Sequence, residues 1–301
     1  VKICDNNNYY YDTYSNAETP RKALIYTSNG KMAKLLINAE DKLDAYQIAT
    51  TEIGTIENKA GDILYYRMIK PSNFDASKKY PVLNYVYGGP HAQLVTNSWL
   101  NGASLWMHWM AEQGYIIFTL DNRGSGNRGF AFESQIHRQL GTVEIEDQMT
   151  GVEFLKRLPY VDTKRMAVHG WSFGGFMTTS LMLRKPGTFT TGVAGGPVTD
   201  WKYYEIMYGE RYMDQPTENE EGYADASLLN KTDNLQGNLL LIHGTVDDVV
   251  VMQHNLKLVQ KFIESDKQID FFPYPMHKHN VYGRDRVHLM TKILNYVLEH
   301  N

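Results

Sequence analysis

The stretch Gly170-Trp171-Ser172-Phe173-Gly174-Gly175 constrains this chain more than any other. A short apolar run, Met166-Ala167-Val168-His169, enters it, and a segment carrying Met177, Leu181 and Met182 leaves it. That pattern predicts a strand turning sharply into a helix with a serine at the apex. Glycines two before and two after the serine suit a turn in which strand and helix approach too closely for a Cβ. Runs at Asp62 to Ile69, Pro81 to Tyr87, Tyr115 to Leu120, Arg165 to His169, Thr191 to Ala194, Leu239 to His243 and Ile269 to Tyr274 read as strands. Between most of them lie helical stretches at Ser98 to Gln113, Val143 to Leu158, Gly174 to Leu183, Met252 to Ser265 and Arg286 to His300. Strand and helix in alternation predict an α/β fold, a mostly parallel sheet with helices on both faces. Chemistry in such sheets sits at the carboxyl ends of the strands.

A serine hydroxyl is a weak nucleophile, so a reactive Ser172 needs a histidine as base and a carboxylate to fix that histidine's tautomer. In this sheet type they follow in the order Ser, Asp, His, at later strand ends. The run Leu239 to His243 leads into Gly244-Thr245-Val246-Asp247-Asp248, and Ile269 to Tyr274 leads into a loop holding His277 and His279. Asp247 lies nearer the strand end than Asp248, which can instead cap the following helix. His277 and His279 remain alternatives. An oxyanion hole requires the Phe173 N–H and a second donor after the strand Pro81 to Tyr87, either a backbone N–H at Gly88 or Gly89 or the Tyr87 phenol.

Gly124-Ser125-Gly126-Asn127-Arg128-Gly129 formally matches a dinucleotide fingerprint, with Glu144, Glu146 and Asp147 downstream. Arg123 and Arg128 crowd it, no clean apolar helix opens at Gly129, and the strand before it is not the first of the sheet, so a glycine-rich loop is the better reading. Trp201, Tyr204, Glu205 and Tyr208 fall at i, i+3, i+4 and i+7, one face of a helix, and an aromatic stripe at this spacing is more often core than a binding face. A carboxylate within such an aromatic face must be paired or serve a ligand. The charge is balanced, 30 Lys and Arg against 34 Asp and Glu, which supplies no basic field for nucleic acid. Cys4 is the single cysteine, so neither an internal disulfide nor a Cys/His metal site is expected. No apolar run is long enough for a membrane span. The chain starts without Met, and residues 1–40 read as short antiparallel strands around an Asn29-Gly30 turn. Too few strands are present there to bury a face alone, and the whole reads as a portion of something longer.

Together these motifs resemble the prolyl oligopeptidase family of serine peptidases, in its dipeptidyl peptidase IV branch. The match runs from about residue 60 to 301 and rests on Tyr85-Val86-Tyr87-Gly88-Gly89-Pro90, Asp121-Asn122-Arg123-Gly124-Ser125-Gly126, Gly141 to Gln148, Gly170 to Gly175, Trp201 to Tyr204 with Glu210 to Met213, and His243 to Asp248. The resemblance implies an α/β-hydrolase fold over residues 41–301, with residues 1–40 as a C-terminal remnant of a β-propeller and its linker. It implies Ser172 as nucleophile, Asp247 and His279 as its partners, and Tyr87 with Phe173 as oxyanion donors. It further implies a proline pocket of Val198, Trp201, Tyr204, Tyr208 and Val250. The substrates implied are peptides with proline at the second or third position; no cofactor, metal or nucleic acid is implied, a homodimer is allowed, and the compartment is extracytoplasmic. Val249 stands where the dipeptidases usually carry Asn. The stretch Tyr204 to Tyr212 and His277-Lys278-His279-Asn280-Val281 are more similar to the bacterial prolyl tripeptidyl aminopeptidases, in which the counterpart of Glu205 meets the substrate amino terminus. A dipeptidase, a broader acylaminoacyl peptidase or esterase, and a binding module with an idle triad are the alternatives.

Overall fold

The computed structural model describes all residues except Asn6 and Gln47. Two sheets organise it. The first is antiparallel and four-stranded, β1 (Lys2–Ile3), β2 (Tyr9–Asn16), β3 (Thr19–Thr27) and β4 (Met32–Asn38), each strand pairing with the next. The β3–β4 turn closes through the Gly30 N–H on Thr27 O, with Gly30 at φ +84°. The edge strand β4 is uncovered on both sides: Met32, Leu35, Leu36 and Ile37 are all exposed. Ser15 Oγ accepts from the Trp99 N–H at 3.3 Å, one of the few links to the remainder.

The second sheet has eight strands: β5 (Thr50–Glu57), β6 (Ile63–Lys70), β7 (Tyr80–Tyr85), β8 (Ile116–Asp121), β9 (Val161–Trp171), β10 (Thr191–Gly195), β11 (Asn238–Gly244) and β12 (Asp270–Tyr274). Their order across the sheet is β12-β11-β10-β9-β7-β8-β6-β5. From β12 to β8 the pairs are parallel, and β6 and β5 add antiparallel at one edge. The central strands β8 and β10 are buried along their whole length, as strands covered on both faces must be. Side chains alternate between two cores with the period of the pleat. Leu239 and Leu241 of β11 pack on one side, Leu240 and Ile242 on the other.

Among the described residues eight α-helices complete the fold: α1 (Leu105–Glu112), α2 (Phe130–Glu133), α3 (Val143–Arg157), α4 (Phe173–Arg184), α5 (Ile206–Met213), α6 (Glu220–Ala226), α7 (Gln253–Glu264) and α8 (Asp285–His300). α3, α4 and α7 cover one face through Val152, Phe176, Leu181 and Leu258. α1 and α8 cover the other through Met107, Met110, Leu289 and Ile293. The α/β-hydrolase fold expected from the motifs is therefore present, with the N-terminal antiparallel sheet beside it.

Three expectations need correction. β5 was not foreseen, because its burial alternates weakly along an edge strand. The helix expected from Ser98 starts only at Leu105, since Leu100 and Asn101 take positive φ and break the run. Trp201 to Tyr208 is not one helix. The Asp200 side chain accepts the Lys202 N–H and closes a short turn over Trp201–Tyr203, Tyr204 is extended, and α5 begins only at Ile206.

Candidate active site

β9 ends at Trp171 and α4 begins at Phe173, so Ser172 alone makes the turn, at φ 61° and ψ −119°. Such a conformation costs a non-glycine residue about 1–3 kcal/mol. It is held by the Ser172 N–H on Gly195 O at 2.8 Å and by Ser172 O accepting from the Phe176 N–H at 3.0 Å. The flanking glycines are required by backbone. A Cβ on Gly170 would lie 2.3 Å from Val86 O and 2.4 Å from Gly174 O, and one on Gly174 would lie 2.3 Å from Val86 O. The segment that leaves β7 thus runs directly beneath the elbow, and the strand-turn-helix foreseen from the sequence is the local structure.

Asp247 follows β11 and His279 follows β12. Asp247 Oδ2 lies 2.8 Å from His279 Nδ1, while its Oδ1 accepts the N–H groups of Val249 and Val250, each at 2.9 Å. His243, fully buried, brings Nε2 to 3.3 Å from the same Oδ2. Burial raises the Asp247 pKa, but hydrogen bonds from His243, His279 and the Val249 N–H outweigh it and hold the carboxyl well below its usual range. The open alternatives separate here. His277 pairs with Asp285 at 2.8 Å, and Asp248 pairs with Lys278 on the surface. With Nδ1 on Asp247, the His279 ring has Nε2 left for Ser172. Ser172 and His279 line one cavity of about 460 Å³ together with Tyr87 and Tyr204.

Phe173 is the first residue of α4, so its N–H has no acceptor within the helix. The Tyr87 ring stands 6.2 Å from that of Phe173. Burial pushes the Tyr87 phenol up, against the effect of a hydrogen bond with Ser172, so it stays protonated as a donor.

The aromatic residues meet although no single helix carries them. Trp201 stacks on Tyr208 at 5.8 Å and 12°, and Tyr204 stands edge-on to both, at 5.6 Å and 5.3 Å. Burial pushes the Tyr204 phenol up to about 12. Val198 and Val250 are buried behind this corner. Glu205 departs from expectation: it is exposed at the start of α5 and not embedded in an aromatic face. The glycine-rich loop at Gly124 is likewise explained without a nucleotide. Asp147, one of the acids downstream, accepts Arg123 Nε at 2.9 Å, Arg123 Nη2 at 2.9 Å and the Arg123 N–H at 2.8 Å. Sequence reasoning missed His243, and it missed the cavity's second wall of Tyr85, Trp106, His169 and Arg286. His169, as the last strand residue before the elbow motif, and Tyr85, as the first residue of the Tyr85-to-Pro90 motif, carried local signals.

Among the described residues no cluster of His, Cys, Asp or Glu has the arrangement of a metal site, and no helix is long and apolar enough to cross a membrane.

Comparison with known proteins gives four further findings. The pattern of the prolyl oligopeptidase family matches residues 102–301. Dipeptidyl peptidase 8 of Homo sapiens is 30% identical over 311 aligned residues, covering 98% of this chain and 34% of its own length. The crystal structure of Porphyromonas gingivalis dipeptidyl peptidase 4 superposes with a TM-score of 0.94 at 34% identity, over 98% of this chain and 42% of that one. A Bacteroides ovatus protein provisionally assigned as a dipeptidyl aminopeptidase IV superposes at 0.97 with 53% identity, over 99% of this chain and 43% of that one. The chain thus spans about a third of the length of the curated relatives it matches.

Proposed function

Because the chain belongs to the prolyl oligopeptidase family, we propose that it supplies the catalytic domain of a serine exopeptidase that releases short N-terminal peptides by cleaving after proline. The observation that supports this most directly is the 2.8 Å contact of Asp247 with His279 beside a strained Ser172 in one cavity. In this reading Ser172 Oγ attacks the carbonyl carbon after proline and His279 Nε2 takes its proton. The Phe173 N–H and the Tyr87 O–H hold the oxygen that becomes negative. The C–N bond then breaks as His279 returns the proton to the leaving amine, and water repeats the sequence to release the acyl peptide.

The corner of Trp201, Tyr204 and Tyr208, backed by Val198 and Val250, receives the proline ring. We favour release of X-X-Pro. An acid at Glu205, exposed beside Tyr204, and Val249 in place of an asparagine both support it. A second reading, X-Pro release, is favoured by the relatives, which are named dipeptidyl peptidases. Residues 1–40 form one four-stranded antiparallel sheet, the form of a propeller blade, which supports their reading as part of a propeller and residues 41–301 as the peptidase domain. An extracytoplasmic compartment and a homodimer remain proposals on the family resemblance.

The test is turnover of X-Pro and X-X-Pro aryl amides by the full-length enzyme and its Ser172→Ala variant. Cleavage by the parent and loss in the variant is expected; undiminished cleavage in Ser172→Ala would sink the nucleophile assignment. Faster turnover of X-Pro would overturn tripeptide release.

A further inference from the structure

The cavity extends beyond Ser172 and His279 along a wall that the acyl-transfer chemistry does not use. Its residues include Tyr85, Trp106, His169, Trp171 and Arg286. Trp106 packs edge-on against Tyr85 at 5.4 Å and against His169 at 5.8 Å, so the wall is a rigid aromatic cleft. Trp171 is fixed to the histidine loop by its Nε1, which donates to His279 O at 2.9 Å. In the proposed reaction the amine leaves by taking the proton of His279. The leaving peptide therefore departs along the side of the cavity that His279, Asn280 and Trp171 share. The corner of Trp201, Tyr204 and Tyr208 lies with the acyl half.

Among the described residues, two side chains in this cleft carry polar groups without partners, His169 nearly buried and Arg286 exposed at the mouth. His169 is 4% exposed, and its Nδ1 donates to Val193 O at 2.8 Å. Burial lowers its pKa to about 4, so the ring is neutral and Nε2 is a lone-pair acceptor. Among the described residues that Nε2 has no hydrogen-bond partner. Arg286 is the second. Its neighbour Asp285 is taken by His277 at 2.8 Å, and among the described residues no carboxylate pairs with Arg286. Burial raises the Tyr85 phenol and lowers the His169 ring, and the charge of Arg286 reaches both groups as a smaller lowering effect. A guanidinium at the mouth of an aromatic cleft, with a half-buried phenol and a buried imidazole beside it, fits a planar anion.

We propose that this cleft is a leaving-peptide subsite in which Arg286 recognises a carboxylate close to the scissile bond. That carboxylate is either an acidic side chain just after the cleaved bond or the C-terminus of a one-residue leaving group. This inference rests on the exopeptidase reading and adds a preference on the leaving side of the cleaved bond.

The experiment uses the full-length enzyme, its Arg286→Gln and Arg286→Glu variants, and three kinds of substrate sharing one acyl segment ending in proline. One is the aryl amide. The second is a pair of C-terminally amidated peptides with Glu or Lys after the proline. The third is a pair with a single Ala after the proline, as free acid or as amide. The parent is expected to prefer Glu over Lys, or free acid over amide, by about fivefold in kcat/KM, the upper range for a half-exposed ion pair. The pair that shows the preference identifies the carboxylate's source. In Arg286→Gln that ratio falls toward one, and in Arg286→Glu it inverts. A parent ratio near one in both pairs, or a ratio unchanged in Arg286→Gln, overturns the subsite. Aryl-amide turnover separates the two failures: if the parent leaves it intact with all the peptides, the exopeptidase reading falls and the subsite with it.

Discussion

His243 Nε2 lies 3.3 Å from Oδ2 of Asp247, the oxygen that also meets His279 Nδ1 at 2.8 Å. The same Nε2 is 2.6 Å from Val250 O, which can only accept, so His243 carries its proton there and shares it with the carboxylate. Two imidazoles and two backbone N–H groups thus hold one buried carboxylate ionised and immobile. Asp247→Asn keeps the size of the side chain and loses an acceptor for at least one of these donors. A fall in kcat/KM of about 10⁴ is expected, the scale seen when a triad histidine loses its tautomer control, with the fold retained by circular dichroism. The depressed pKa also fixes a sign. Asp247 stabilises the fold fully above its unfolded value of about 3.9, and that contribution is lost as pH falls toward the lower folded value. Below about pH 4, Tm should therefore fall more steeply in the parent than in Asp247→Asn.

Tyr87→Phe removes one hydroxyl from a ring that stays packed near Phe173. If that hydroxyl meets only the oxygen that becomes negative, kcat should fall by about 10²–10³ with KM nearly unchanged. A rise in KM at constant kcat would assign the hydroxyl to substrate binding.

The elbow, the order Ser172, Asp247 and His279 at successive strand ends, and the central strands were legible because each is local: glycines at fixed offsets, apolar runs without alternation, an acid and a histidine just after strands. The separation of His279 from His277 was not, since it depends on which ring β12 delivers to Asp247 and which to Asp285. The aromatic corner was foreseen for an inexact reason. Trp201, Tyr204 and Tyr208 meet, yet the chain unwinds at Tyr204 and starts α5 afresh, so helical spacing did not bring them together. The same break exposes Glu205. His169 and Arg286 come from β9 and α8, so their shared cleft is a product of tertiary packing without a pattern in the chain.

Gly174→Ala tests the elbow as packing. The new Cβ would lie 2.3 Å from Val86 O and 3.1 Å from Tyr87 Cα, both backbone atoms of the segment that carries Tyr87. A backbone shift is unavoidable, and a loss of about 3 kcal/mol is expected, as for overpacked cores. Denaturant melts read the stability, and activity per folded molecule should drop as well, because the displaced segment carries Tyr87.

Glu144, at the start of α3, is fully buried. Its Oε2 accepts the Gly141 N–H at 2.9 Å, while Oε1 has no partner among the described residues. Burial pushes its pKa up to about 8, so the folded protein keeps this carboxyl protonated at neutral pH. In the unfolded chain it ionises near its ordinary value of about 4.3. Between these values the folded state binds the extra proton, so stability falls as pH rises. Glu144→Gln keeps the acceptor for Gly141 and cannot ionise, which removes that slope. The difference in Tm between variant and parent should be small at pH 5 and widen in favour of Glu144→Gln up to pH 8. A difference that does not change over this range would mean that Glu144 is already ionised in the fold.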